Sequence, residues 1–205
     1  MKLLLASNGK FLIEKGYKLL NIPKDKIHIG YITTASKGVS SVEYIKLHKQ
    51  MMNGNGYSFE EIDIENKTEK ELRQFLKDKN VIHIEGGNTF YLLKAIKESG
   101  FDKIIKELLD RGIVYAGTSA GSSIAGPTIE FSSHVPKGTP IEELKALNLV
   151  PFLFKAHYTD DKKEQYLEKI KSIKYPIKLL RDGQGILVED KKYTFIGDGK
   201  EVKLD

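Results

Sequence analysis

The five residues Gly117-Thr118-Ser119-Ala120-Gly121 carry the strongest chemical signal in the chain. An apolar run, Ile113-Val114-Tyr115-Ala116, leads into them, and a small-residue segment, Ser122-Ser123-Ile124-Ala125, follows. This is the pattern of a nucleophile elbow, a strand-to-helix turn that presents one serine at its tip. Glycines two before and two after the serine keep Cβ atoms out of a crowded turn and tolerate unusual dihedrals. The competing reading is a small-residue turn that only packs against a sheet.

A second turn, Glu85-Gly86-Gly87-Asn88-Thr89-Phe90, directly follows the apolar run Val81-Ile82-His83-Ile84. Two consecutive glycines between a strand and a helix leave backbone N–H groups uncovered. The amide of Gly87, or of Asn88, is a candidate to meet an oxygen held above Ser119, with the amide of Ala120 as the second donor. Preorganised donors of this kind each contribute roughly 3 kcal/mol in an acyl-transfer transition state. Glu85 and Asn88 border the turn and are candidates to bind a substrate's free amino group. A G-K-[ST] ending is missing, so this is not a Walker-type phosphate loop.

A serine nucleophile needs a base. His28 and His83 lie inside strand patterns, where an imidazole is most often a packed residue. His157 closes the apolar run Leu149 to Ala156 and meets Tyr158-Thr159-Asp160-Asp161, a strand end beside a helix start. It is the preferred base, and His134, in a loop-rich segment, is its rival. A third group must fix the imidazole's tautomer and stabilise its cation. Among Glu130, Asp160, Asp161 and Glu164, Glu130 gives the chain order serine, acid, histidine. Asp160 reads better as a cap of the following helix. The histidines are scattered and show no H-E-x-x-H, so no metal site is expected.

The elements that must position these groups alternate. Strands are expected at Lys2 to Ala6, Ile27 to Thr33, Tyr57 to Ile62, Val81 to Ile84 and Ile113 to Ala116. Helices are expected at Gly38 to Met52, Glu69 to Lys77 (capped by Thr68 with Glu71 completing the box), Phe90 to Lys97 and Ile104 to Leu109. Such alternation argues βαβ units and a mainly parallel sheet, with ligands beyond the carboxyl ends of its strands. After the elbow the pattern changes. Residues 127–140 are loop-rich, Leu149 to Ala156 is a strand candidate, and Asp160 to Ile170 is a helix. Ile177 to Leu180, Gly185 to Val188 and Tyr193 to Ile196 read as short strands. Arg181-Asp182-Gly183 and Glu189-Asp190-Lys191-Lys192 read as the hairpin-like turns between them.

Length and composition narrow the function classes. The 205 residues fit one domain. There is no cysteine, which excludes disulfides, thiolate metal sites and cysteine nucleophiles. The net charge of +5 is spread through mixed-sign segments rather than concentrated, so a nucleic-acid partner is not expected. Ser7-Asn8-Gly9-Lys10 ends the first apolar run too early for a signal peptide, and no later run is long enough for a membrane span.

Taken together, Ile84-Glu85-Gly86-Gly87-Asn88-Thr89, the serine elbow, Gly126-Pro127-Thr128-Ile129, Ala146-Leu147-Asn148-Leu149 and His157-Tyr158-Thr159-Asp160 resemble the peptidase E family. These are the serine peptidases grouped with aspartyl dipeptidases and cyanophycinases. The segments occur in family order over nearly the whole chain. The resemblance implies an α/β three-layer sandwich with a mainly parallel sheet, similar to class I glutamine amidotransferases, in one catalytic domain spanning 1–205. It implies a cytoplasmic monomer or homodimer that needs no cofactor and hydrolyses short peptides. It assigns Ser119 as nucleophile, His157 as base, and the Gly87 and Ala120 amides as the oxyanion hole.

Two departures stand out. The aspartyl dipeptidases carry their triad aspartate fifteen positions beyond the serine, where this chain has His134. Other branches resemble a Ser-His-Glu arrangement, which Glu130 would complete. The family's arginine that reads a substrate aspartate also has no match, and Arg181 is the next arginine along. The expected function is therefore a serine peptidase, possessing an acyl-enzyme step, with the residue preference open. The alternatives are a related hydrolase of non-peptide amides or esters and a non-catalytic binding protein on the same fold.

Overall fold

Leu3, Leu4, Leu5 and Ala6 are all fully buried, which a strand achieves only when both faces of its sheet are covered. They form β1 (Lys2–Ala6) at the heart of a seven-stranded sheet. The computed structural model describes residues 1–203. The other strands are β2 (His28–Ile32), β3 (Ser58–Ile62), β4 (Val81–Ile84), β5 (Val114–Thr118), β6 (Leu153–Lys155), β7 (Ile177–Leu179), β8 (Gln184–Glu189) and β9 (Lys192–Gly197). The helices are α1 (Gly9–Glu14), α2 (Glu43–Gly54), α3 (Glu69–Leu76), α4 (Thr89–Ser99), α5 (Phe101–Asp110), α6 (Ala120–Ile124) and α7 (Lys163–Ile170).

The large sheet has the order β3-β2-β4-β5-β1-β8-β9. Its first five members are mutually parallel, β8 runs antiparallel to β1, and β9 runs antiparallel to β8. Side chains alternate across it as strand geometry requires. Leu3 and Leu5 pack with Leu72, Leu92 and Ile104 of α3, α4 and α5, whereas Leu4 and Ala6 pack with Phe11, Leu12 and Ile45 of α1 and α2. Helices therefore flank both faces of a mixed, mostly parallel sheet.

Register decides what meets at the carboxyl end. Ala6 lies opposite Thr118 of β5 and opposite Gly185 of β8. Ser7, Ser119 and the residues just before β8 are thus brought to one edge. A separate parallel pair, β6 with β7, has Lys155 opposite Leu179. It is built over Phe131, Tyr158 and Tyr166 and carries His157 just beyond its end.

The capping box of α3 forms as expected, with Thr68 Oγ1 accepting from Glu71 N and Glu71 reaching back to Thr68 N. The 189–192 turn joins β8 to β9, pairing Glu189 with Lys192. Other expectations are corrected. Arg181-Asp182-Gly183 is not a hairpin turn, because β7 belongs to the small sheet and β8 to the large one. Of Leu149 to Ala156 only three residues are strand. Residues 34–38 form a 3-10 turn, so α2 starts at Glu43, and 160–162 form another before α7. Asn8-Gly9, read as a mere interruption, starts α1, with Asn8 Oδ1 accepting from Phe11 N at 2.9 Å. No helix among the described residues is long and apolar enough to cross a membrane.

Candidate active site

The elbow is tight for reasons visible at each glycine. A Cβ on Gly117 would meet Gly121 C and Ser122 N at 2.7 Å, and one on Gly121 would meet Ile84 O at 2.0 Å. Only glycine lets β5 and α6 pass this close to one another and to β4. Ser119 between them has φ 47° and ψ −103°, a backbone conformation that non-glycine residues adopt only when their surroundings over-determine it. Here Ser119 N donates to Ala6 O at 3.0 Å and Ser123 N donates back to Ser119 O at 2.9 Å. The hydroxyl is left at the tip of the turn.

His157 faces it. Its Nε2 lies 3.1 Å from Ser119 Oγ, and its Nδ1 lies 2.7 Å from Asp182 Oδ1. His157 is itself in the left-handed region at φ 58°, held there by its N–H, which donates to Ser7 Oγ at 3.0 Å. Ser7 Oγ also lies 3.0 Å from Asp182 Oδ1. The hydrogen bond from His157 holds the Asp182 carboxyl below the usual carboxylate range against partial burial, with Ser7 and Asn8 adding to the effect. An ionised Asp182 accepts from Nδ1–H, which leaves Nε2 as an acceptor for the serine proton.

The chain order is therefore serine, histidine, aspartate. Glu130 does not hold the third place. Its carboxylate accepts from Thr128 Oγ1 at 3.3 Å and its charge acts on Lys169. Thr128 and Glu130 form a local turn, which binds the carboxylate to its own loop. Asp160 takes Arg181 Nη2 at 2.5 Å, so Arg181 is committed to a surface pair. His134 sits near the serine without touching it, with Nδ1 about 3.5 Å from Thr89 N and 3.4 Å from Ser132 Oγ.

Two hollows open from Ser119. One, of about 470 Å³, is lined by Asn8, Tyr44, His48, Gly86, Gly87 and His157. The other, of about 130 Å³, is lined by Thr89, Ser123, His134, Lys155 and Lys162. Burial together with the like charges of Lys169 and Lys162 lowers the Lys155 ammonium pKa.

The glycine turn is fixed on all sides but one. Glu85 N donates to Ile32 O and Asn88 N to Ala35 O, both at 2.9 Å. Gly86 N donates to Glu85 Oε1 at 2.7 Å, and Gly86 O accepts from Tyr44 Oη at 3.0 Å. Asn88 N is thereby removed as an oxyanion donor. Gly87 has φ 139°, and a Cβ there would lie 2.3 Å from Ala35 O. Ala120 is the first residue of α6, where an amide has no acceptor within its own helix.

The expected roles of Glu85 and Asn88 need correction. Glu85 is 1% exposed, and both its oxygens are occupied by protein donors. Asn88 is the N-cap of α4, accepting from Tyr91 N at 3.0 Å, while its Nδ2 donates to Gly38 O. Neither carries a free group for a substrate amine. The residues missed from sequence, Ser7 and Asp182, lie in what looked like a strand end and a turn. The one available signal was that each follows a strand, as catalytic groups on α/β sheets do.

A family model described as Peptidase family S51 matches residues 3–196. Uncharacterized peptidase Lmo0363 of Listeria monocytogenes is 33% identical over 158 residues, covering 73% of this chain and 77% of its own. Uncharacterized peptidase Lin0382 of Listeria innocua is 32% identical over 182 residues, covering 84% and 86%. A crystal structure of a Listeria monocytogenes EGD-e protein superposes with a TM-score of 0.82 at 27% identity, over 97% of this chain and 98% of that one. With a strained serine at an elbow, a histidine within reach of it and a family model spanning nearly its whole length, the chain belongs to peptidase family S51 and is a serine-type peptidase.

Proposed function

We propose that the chain hydrolyses short peptides through an acyl-enzyme formed on Ser119. The observation that carries this reading is the relay Ser119 Oγ, His157 Nε2, His157 Nδ1, Asp182 Oδ1, with links of 3.1 Å and 2.7 Å. His157 takes the serine proton as Oγ attacks the carbonyl carbon. Asp182 holds the imidazole in the accepting tautomer and stabilises its cation. The N–H groups of Gly87 and Ala120 receive the oxyanion. The intermediate collapses as His157 protonates the leaving amine, and His157 then activates water to release the acid.

The arrangement is that of the class I glutamine amidotransferase sandwich with serine at the nucleophile's place. The readings of one domain and of a similar sandwich draw support from the single large sheet that joins β1 to β8 and β9. A relative from Drosophila melanogaster, 32% identical over 142 residues, is named "Probable alpha-aspartyl dipeptidase". In this chain the arginine position is unmatched, and Lys155 and Lys162 beside Ser119 provide the positive charge for an acidic substituent.

The test is Ser119→Ala against a panel of dipeptides with and without an acidic residue. Hydrolysis falls to background, and the unmodified protein gives a stoichiometric burst with an activated ester. Hydrolysis retained by Ser119→Ala would end the covalent reading. Equal rates on acidic and neutral dipeptides would end the assignment of the lysine hollow.

A further inference from the structure

The carboxylate of Glu85 accepts four hydrogen bonds, and they are divided by oxygen. Oε1 takes Gly86 N at 2.7 Å and the hydroxyl of Thr118. Oε2 takes Tyr31 Oη at 2.6 Å and His48 Nδ1 at 2.8 Å. Thr118 immediately precedes the nucleophile, and Gly86 immediately precedes the proposed oxyanion donor. A single oxygen atom therefore ties the two turns together. The spacing it holds is close, since a Cβ on Gly86 would already meet Ser119 Cβ at 3.1 Å.

The other oxygen anchors the carboxylate to the neighbouring strand and to a helix. Tyr31 comes from β2 and His48 from α2, and the His48 ring lies against Gly9, where any Cβ would meet it at 2.3 Å. His83 stands behind, taking Tyr17 Oη on Nδ1 at 2.7 Å, while its Nε2 is buried without a partner 3.8 Å from Glu85 Oε2. Tyr44 fixes the far side of the same turn through Gly86 O. In a trans peptide the C=O and the following N–H point in opposite directions. Holding Gly86 O on Tyr44 thus turns Gly87 N–H away from Tyr44, and holding Gly86 N on Glu85 fixes the preceding peptide on which that turn is built.

Resting on the acyl-enzyme reading, we propose that Glu85 is a positioning residue that sets the distance and direction of the Gly87 amide relative to Ser119. It touches neither substrate nor reacting atoms. Its effect is felt in the transition state, when the oxyanion forms, and hardly in ground-state binding.

Glu85→Leu, Glu85→Gln and Thr118→Val separate this role from plain stability. Glu85→Leu removes every acceptor and lowers kcat by about 100-fold, the size expected for a misplaced oxyanion donor, with KM within about twofold. Glu85→Gln keeps one oxygen for Gly86 N and Thr118, while His48 accepts from the amide in its other tautomer. It recovers most of kcat. Thr118→Val removes only the link to the elbow, leaves the buried carboxylate three donors, and lowers kcat about tenfold. In each variant the affinity for a peptide aldehyde, which mimics the tetrahedral state, falls in step with kcat.

Folded Glu85→Leu and Thr118→Val proteins with undiminished kcat overturn the proposal. So does a loss confined to KM with unchanged aldehyde affinity. If Glu85→Leu does not fold, Thr118→Val decides alone. Activity retained in Ser119→Ala refutes the acyl-enzyme reading instead, which keeps the two failures apart.

Discussion

Replacing Asp182 by Asn tests the relay where sequence and structure disagree. Asp182 Oδ1 sits 2.7 Å from His157 Nδ1, and the Asn side chain preserves that shape while offering an NH₂ group. Because Ser7 Oγ also lies 3.0 Å from this oxygen, two orientations compete. With the amide oxygen toward Nδ1, orientation survives but the imidazolium loses its counter-charge. With the NH₂ toward Nδ1, the imidazole proton moves to Nε2, where it faces Ser119 as a donor and cannot accept. The comparable change in a serine triad costs about 10⁴-fold in kcat. Here His157 and Asp182 are both about half exposed, and water shares the task of stabilising the cation. The expected loss is therefore about 10³-fold, or about 4 kcal/mol of transition-state stabilisation. The assay is kcat and kcat/KM on one dipeptide, with Glu130→Gln measured beside it. Glu130→Gln leaves both constants within about threefold, since its carboxylate is bound within its own loop. A fall of less than tenfold in Asp182→Asn, or a larger fall in Glu130→Gln, would refute the reasoning.

Two further outcomes follow from the same geometry. Gly121→Ala places a methyl 2.0 Å from the carbonyl of Ile84, which only backbone movement can relieve. It lowers stability by about 3 kcal/mol, read by urea unfolding, and abolishes the burst. An unchanged midpoint would contradict the packing. Acid exposes the buried cluster. Despite burial, which alone would raise it, hydrogen bonds and nearby imidazoles hold Glu85 at about 2 against an ordinary 4.5, and burial lowers His83 from 6.5 to about 4. Both groups bind protons more readily in the unfolded chain. Stability is thus complete above pH 6.5, falls through His83 toward pH 4, and falls again through Glu85 from about pH 4.5 toward 2. Each step costs up to roughly 3 kcal/mol, and unfolding midpoints unchanged from pH 7 to pH 3 would exclude the linkage.

Much of this was legible in the residues themselves. The serine, its flanking glycines and the parallel strands beneath them follow local rules. Apolar runs report burial on both faces, and Gly117 and Gly121 report an approach closer than a Cβ permits. His157 was legible as a strand end. Asp182 was not, because its partner is set by a change of sheet between β7 and β8 that no local pattern encodes. Glu130 answered an expected chain order, whereas the structure supplies the acid after the histidine. Glu85 looked like a binding group because a charged residue beside a cleft invites that reading. Its four donors come from β2, α2, β5 and its own turn, so its burial emerges only from tertiary assembly.

The pairing of β8 against β1 has a consequence for how the peptidase comes into being. Asp182 and the strand that follows it come late in the chain, so the nucleophile and its glycine turn are synthesised long before the acid that completes the relay. A nascent or truncated chain ending near residue 180 holds its serine and its histidine without the carboxylate that orients the imidazole. Full hydrolytic activity is therefore expected only once the strand after Asp182 has paired with β1.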